Sequence, residues 1–184
     1  MKEFKPREFD YQLINRKTVY QGKRLKVEEL EYQNGEKKIY REHVIPGDAA
    51  VILPITKEGS IIMIQEPRTA IGKVVLGLPA GQLEQGEKEE QGAVRELEEE
   101  TGYYAHQMKK IREIYSSAGY CSEKISIFLA TDLEKTQRHL DETEDIQVVE
   151  LPIQEVKELL EKNEISTAST TIALLYYFLY EQNN

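Results

Sequence analysis

The chain has 184 residues, 24 basic and 33 acidic, for a net charge of −9, with 40% hydrophobic and 31% charged positions. This length and composition suit a globular chain with a substantial core. The acidic balance excludes broad phosphate-driven binding to nucleic acid, which needs a basic face. No apolar run approaches the roughly 18 to 20 residues of a membrane-spanning helix. The opening Met1-Lys2-Glu3-Phe4-Lys5-Pro6-Arg7-Glu8 lacks an apolar stretch after its charges, so no secretory signal is expected. A lone Cys121 fits a reducing, cytoplasmic setting.

In chain order, Tyr11 to Tyr20 and Leu25 to Tyr32 are rich in β-branched and aromatic residues and read as strands, with Gly22 between them. Asn34-Gly35 is a hairpin signal, because both central positions of that turn type need positive φ, and Ile39 to Ile45 is the returning strand. Ala49 to Ile55 is continuously apolar, as a strand buried on both faces would be. Glu58-Gly59 turns the chain into Ser60 to Gln65. Residues 88 to 101 favour helix, closed by Gly102 in a left-handed position. Ile111 to Ser116 and Ile125 to Ala130 read as strands, the acidic stretch Thr131 to Asp145 as a loop, and Ile146 to Leu151 as a further strand. Pro152 opens a helix, and an apolar helix spans Ser166 to Tyr180. The expected organisation is an N-terminal antiparallel β layer over residues 1 to 45 and a main α/β domain over 46 to 184. The layer has apolar residues and little chain to cover them, which predicts a homodimer.

The helix at 88 to 101 carries the chemistry. At about 100° per residue, Glu96, Glu99 and Glu100 share one stripe, Ala93, Leu97, Thr101 and Val94 form the face that buries, and Glu98 falls away from the stripe. Arg95 precedes Glu99 by four residues and can brace it. A run of glutamates is ordinarily a solvated surface. Here the stripe borders the buried face, where like charges repel more strongly as water is excluded, and Glu87 adds a further carboxylate near the helix start. A hard divalent cation held by carboxylate oxygens relieves that repulsion, and Mg²⁺ is the natural candidate. Zn²⁺ is not indicated, since His43, His106 and His139 are scattered and one cysteine exists.

Gly81, Glu87, Arg95-Glu96-Leu97, Glu99-Glu100 and Gly102 stand at the spacing of the Nudix box, with Tyr103 where the family usually has an aliphatic residue. The chain thus resembles the Nudix hydrolase superfamily. The resemblance implies an α/β/α sandwich with a mixed sheet, Glu96, Glu99 and Glu100 as metal ligands oriented by Arg95, Glu87 in support of the loop, and Glu98 as a solvated bystander. Segments outside the box resemble the ADP-ribose pyrophosphatase subfamily. These are Arg41-Glu42 with Gly47 and Ala49 to Pro54, Gln65-Glu66-Pro67-Arg68, Leu78-Pro79-Ala80-Gly81, Asp141-Glu142-Thr143-Glu144-Asp145-Ile146, and Ser166 to Ile172. That likeness implies a catalytic role for Glu99 and Arg95, phosphate contacts from Arg41 and Arg68, and adenine or ribose contact from Glu42. It further implies a pocket-shaping loop at Gly119, a metal contact from the Ala80 carbonyl, and handling of the attacking water by Glu142 or Glu144, with Glu142 favoured.

The implied reaction is Mg²⁺-dependent hydrolysis of ADP-ribose to AMP and ribose 5-phosphate, Mn²⁺ being the other ion considered, by a homodimer acting on a small-molecule substrate. Two departures leave the sugar open. Ala118 stands where the subfamily often has proline in Ser-Pro-Gly, and Gly77 stands where it often has an acidic residue. GDP-mannose, dinucleoside polyphosphates, oxidised nucleotides and a non-catalytic nucleotide-sensing role are the alternatives.

Overall fold

The computed structural model describes residues 4–140 and 142–182, so Asp141 of the acidic motif lies outside the described residues. The chain forms two compact units. One holds the chain up to Gly47 together with Ser117–Glu123, and the other holds Asp48–Ser116 and the chain from Lys124 onward.

The first unit is an antiparallel sheet in the order β1 (Gln12–Gln21), β2 (Lys26–Asn34), β3 (Lys37–Ile45). The β2–β3 hairpin pairs Asn34 with Lys37, so its two central residues are Gly35 and Glu36, one position later than the Asn34-Gly35 reading. Only Gly35 takes positive φ, at 58°. Asn34 stays in the strand because its backbone joins the ladder. The segment Ser117–Glu123 fastens to β3 by a parallel bridge between Val44 and Cys121, with Val44 N–H donating to Tyr120 O at 2.8 Å and Ser122 N–H to Val44 O at 3.1 Å.

The second unit is built on a mixed sheet, ordered β7 (Ala80–Gln82), β4 (Ala49–Pro54), β9 (Lys124–Lys135), β8 (Tyr103–Tyr115), in which β4 and β9 run parallel. Beside it lies an antiparallel sheet ordered β10 (Gln147–Pro152), β5 (Ser60–Arg68), β6 (Lys73–Gly77). Side chains alternate across a strand, and β4 is apolar on both faces for that reason. Ala50 and Ile52 pack with Ala93 and Leu97 of α1 (Glu89–Thr101), together with Ala105, Phe128 and Ala130. Val51 and Leu53 pack on the opposite side with Val156 of α2 (Ile153–Glu161) and with Ala173 and Leu174 of α3 (Ala168–Tyr176). Helices therefore cover both faces of the mixed sheet, as the Nudix resemblance implies.

Three local expectations are corrected. Thr131 to Lys135 is strand, not loop, because Thr131 and Leu133 continue the pairing with Gln107 and Ala105, and Leu133 packs against the core beside α1. Asp132 lies between them at φ 52°. The strand expected over Ile111 to Ser116 instead begins at Tyr103, its first half pairing with β9 from Lys135 to Phe128, and the short strands β6 and β7 carry too few residues for a visible alternation. The last helix ends as α-helix at Tyr176 and continues as a π-helical turn, Tyr177–Glu181.

Candidate active site

Lys88, with extended backbone, precedes α1, and Gly102 closes it at φ 71°, donating its N–H to Glu98 O at 2.8 Å. The face expected to bury does so at Ala93, Leu97 and Thr101, and Gly92 joins it. Val94 remains half-exposed. A side chain at Gly92 would meet Leu83 and the Glu87 carboxylate, so glycine there lets the preceding loop lie directly on the helix.

Arg95 is the hub. Its Nε and Nη2 donate to the two Glu87 oxygens at 2.9 and 3.0 Å, its Nη1 to Glu96 and to Glu99 at 2.8 Å each, and Nη2 also to Gln82 O at 3.2 Å. A planar fork with donors on several edges suits this task, which an ammonium cannot perform. Glu87 in turn accepts from Glu84 N–H at 2.9 Å, so one carboxylate ties the loop to the helix. The Arg95 hydrogen bonds hold Glu87 below the usual carboxylate range.

Glu96 and Glu100 are buried while Glu99 is half-exposed. Glu100 accepts from Ala80 N–H at 2.9 Å, and Ala80 is held by β7 against Val51. Burial raises Glu96, opposed by Arg95 and reinforced by the charges of Glu99 and Glu144. Burial pushes Glu100 up to about 8, opposed by the Ala80 N–H and reinforced by Glu96, Glu66 and Glu144.

These groups share one neighbourhood on and beside α1. Among the described residues, no three acidic, histidine or cysteine side chains are arranged as a metal cage; Arg95 engages one oxygen each of Glu96 and Glu99, and the Ala80 N–H one oxygen of Glu100. The donor set nonetheless fits a hard divalent cation. All its atoms are oxygens, and two of its carboxylates are buried, with the charge of Glu96 opposing ionisation of Glu100. Nudix ADP-ribose pyrophosphatases generally use divalent metals.

The remaining predicted residues divide between the units. Arg68 ends β5, exposed, and pairs with Glu66 at 2.8 Å. Glu142 is exposed and Glu144 half-buried, and it is the charge of Glu144 that acts on Glu96 and Glu100. Glu98, expected as a solvated bystander, is half-exposed and lines a surface groove together with Arg95, Glu99, Val94, Tyr104 and His139. In the first unit, Arg41 and Glu42 lie exposed on β3, Arg41 donating to Tyr40 O at 2.8 Å, and Gly119 sits in the exposed turn that follows Ser117.

Sequence reasoning missed two sets of residues. Glu66 contributes charge at Glu100 although it was visible only as part of a strand end. Glu89, in the first turn of α1, pairs with Lys110 of β8 at 2.6 Å and Lys124 of β9 at 2.7 Å, which bring its carboxyl down to about 2. Residues so distant in sequence give no local signal for that brace.

The sequence profile of the NUDIX domain matches residues 46–173, and the chain belongs to the Nudix family, as a pyrophosphohydrolase. It is 39% identical over 172 residues to an ADP-ribose pyrophosphatase of Bacillus subtilis (strain 168), covering 91% of this chain and 92% of that one. It is 33% identical over 177 residues to a methanol dehydrogenase activator of Bacillus methanolicus, covering 94% and 95%. Its fold superposes on a crystal structure of an ADP compounds hydrolase with a TM-score of 0.84 at 24% identity, covering 97% of this chain and 98% of that one.

Proposed function

We propose that the chain hydrolyses the diphosphate of ADP-ribose, or of a related nucleoside diphosphate sugar, with Mg²⁺ as cofactor and Mn²⁺ as a substitute. The products from ADP-ribose are AMP and ribose 5-phosphate. The observation that carries this reading is Arg95 binding Glu87, Glu96 and Glu99 on a helix whose Glu100 is buried against Ala80. The likeness to an ADP-ribose pyrophosphatase over nearly the whole chain supports the substrate.

Glu96, Glu99, Glu100 and the Ala80 carbonyl would hold the ion. Such an ion, when bound, neutralises diphosphate oxygens and acidifies a water. Arg68 contacts a phosphate, leaving its present partner Glu66. The incoming water supplies the oxygen that ends on one phosphorus, the bridging P–O bond breaks, and one proton passes to Glu144. We assign that proton to Glu144 rather than the initially favoured Glu142 because Glu144 is half-buried and its charge is felt by Glu96 and Glu100. Substrate contacts at Arg41, Glu42 and Gly119 belong to the same proposal.

The proposal extends to a homodimer in the cytoplasm. Strand β1 is exposed along all ten residues, with Leu13, Ile14, Val19 and Tyr20 among them, and needs a cover. No helix among the described residues is long and apolar enough to cross a membrane.

The test is a product assay with ADP-ribose, GDP-mannose, ADP-glucose and diadenosine polyphosphates in Mg²⁺. AMP formed fastest from ADP-ribose is the expected result, and a clear preference for another member retires the substrate assignment. Glu99→Gln is expected to abolish turnover with the fold intact, and Glu98→Gln to change it little. Equal losses from the two would contradict the assignment of the helix face. Light scattering of the purified chain decides the dimer.

A further inference from the structure

The segment 136–139 closes on the C-terminal end of α1. Thr136 N–H donates to Gly102 O at 2.7 Å, His139 N–H to Glu99 O at 3.1 Å, and Arg138 Nε to Glu100 O at 2.6 Å. The other edge of the same guanidinium, Nη2, donates to Ile146 O at 2.6 Å. Gly102 makes room for this closure. A Cβ there would lie 3.2 Å from Thr136 O and 3.3 Å from Arg138 N. The last turn of α1 has no basic side chain of its own, so Arg138 supplies the cation that the negative end of the helix favours.

The two carbonyls joined by Arg138 belong to the two pieces that the proposed reaction must keep in register. Glu100 and Glu96 lie on α1. Ile146, whose side chain is buried, ends the acidic loop that carries Glu144 two residues earlier. Among the described residues between Thr136 and Ile146 there is neither helix nor strand, so regular backbone pairing does not fix this stretch.

We propose that Arg138 is a positioning residue, a strut that ties the acidic loop at Ile146 to the C-terminal end of α1 and thereby fixes the place of Glu144, two residues before that anchor. This rests on the assignment of Glu144 made above. The task requires arginine. Its Nε and Nη2 diverge toward separate acceptors in a fixed plane, whereas a lysine ammonium concentrates its donors at one point and cannot keep both carbonyls in place.

The experiment compares the whole chain, Arg138→Lys, Glu144→Gln and the double variant, measuring kcat, KM and Tm on a nucleoside diphosphate sugar that the unmodified enzyme turns over. Misplacement of a reacting group by about 1 Å costs up to roughly a hundredfold in rate. Arg138→Lys is therefore expected to lower kcat at least about tenfold, with KM and Tm nearly unchanged. In the Glu144→Gln background the same substitution is expected to change kcat less than about twofold, because the group it positions is already gone.

Equal losses from Arg138→Lys in both backgrounds would make Arg138 merely structural and overturn the inference, and so would an undiminished kcat. A parallel drop in Tm with restored kcat at lower temperature would do the same. If Glu144→Gln alone retains full turnover, the premise is what has failed, and the Arg138 inference falls with it. That outcome is distinguishable because it appears without any change at Arg138.

Discussion

The Glu96 carboxyl occupies the space where a side chain on Gly81 would stand. A Cβ at Gly81 would overlap the carboxyl carbon and both oxygens. Gly81 is not among the glycines of positive φ, so its requirement is close approach rather than backbone conformation. The overlapping atoms are the tip of a side chain that can swing away, so Gly81→Ala is expected to fold with little loss of Tm and to evict Glu96 from its place beside Arg95. Turnover should fall by about a hundredfold, with a higher Mg²⁺ requirement. A variant that keeps normal turnover would show that the position of Glu96 is not critical.

Arg95 binds three carboxylates, two of which are assigned as ion ligands. Arg95→Ala removes a guanidinium that is itself about three-quarters buried from three carboxylates, two of them more buried still, and breaking such a set costs about 3 kcal/mol. The metal-free variant should therefore unfold at lower urea concentration than the parent. Added Mg²⁺ should restore more stability to Arg95→Ala than to the parent, because the ion also neutralises the carboxylates left unpaired. Equal stabilisation of both by Mg²⁺ would separate Arg95 from the ion site.

Burial raises Glu100 from 4.5 to about 8, and Glu96 shifts in the same direction. Between those values the folded chain binds a proton that the unfolded chain has released. The stability of the metal-free protein should therefore fall as pH rises from about 4.5 to about 8 and level off beyond. An ion held by the same carboxylates displaces that proton, so the rise in Tm on adding Mg²⁺ should widen across this window. Calorimetry at pH 5.5 and 8.5 with and without Mg²⁺ reads the difference. Glu100→Gln should flatten the pH dependence, and a pH-independent Mg²⁺ shift in the parent would oppose the assignment.

The parts of this molecule legible in its sequence are those governed by local spacing. Helix α1, its closure at Gly102 and the bracing of Glu99 by Arg95 follow from a 3.6-residue period, and β4 follows from its unbroken apolar run. Glu89, Lys110 and Lys124 meet across three elements, and Arg138 joins Glu100 to Ile146. Each of these is a single charged residue in a polar context, and only the tertiary fold supplies its partner. The strand at Thr131 to Lys135 was hidden for another reason. Its charged residues suggested a loop, but pairing with β8 and burial of Leu133 outweigh their low strand propensity.

Thr170 links α3 to the approach to the box. Its buried Oγ1 accepts from Leu78 N–H at 3.1 Å, and Gly77 lies close enough that a Cβ there would come within 3.4 Å of that oxygen. Leu78 leads through Pro79, whose carbonyl accepts from Ile52 N–H, to Ala80, whose N–H holds Glu100. Thr170→Val keeps the shape but leaves the Leu78 N–H without its acceptor, at a cost of about 1 to 3 kcal/mol. Thr170→Ser keeps the acceptor and loses a methyl group. Urea unfolding should therefore rank the serine variant above the valine variant, although serine buries less apolar surface. Valine at or above serine would show that shape rather than the hydrogen bond holds α3 to this segment.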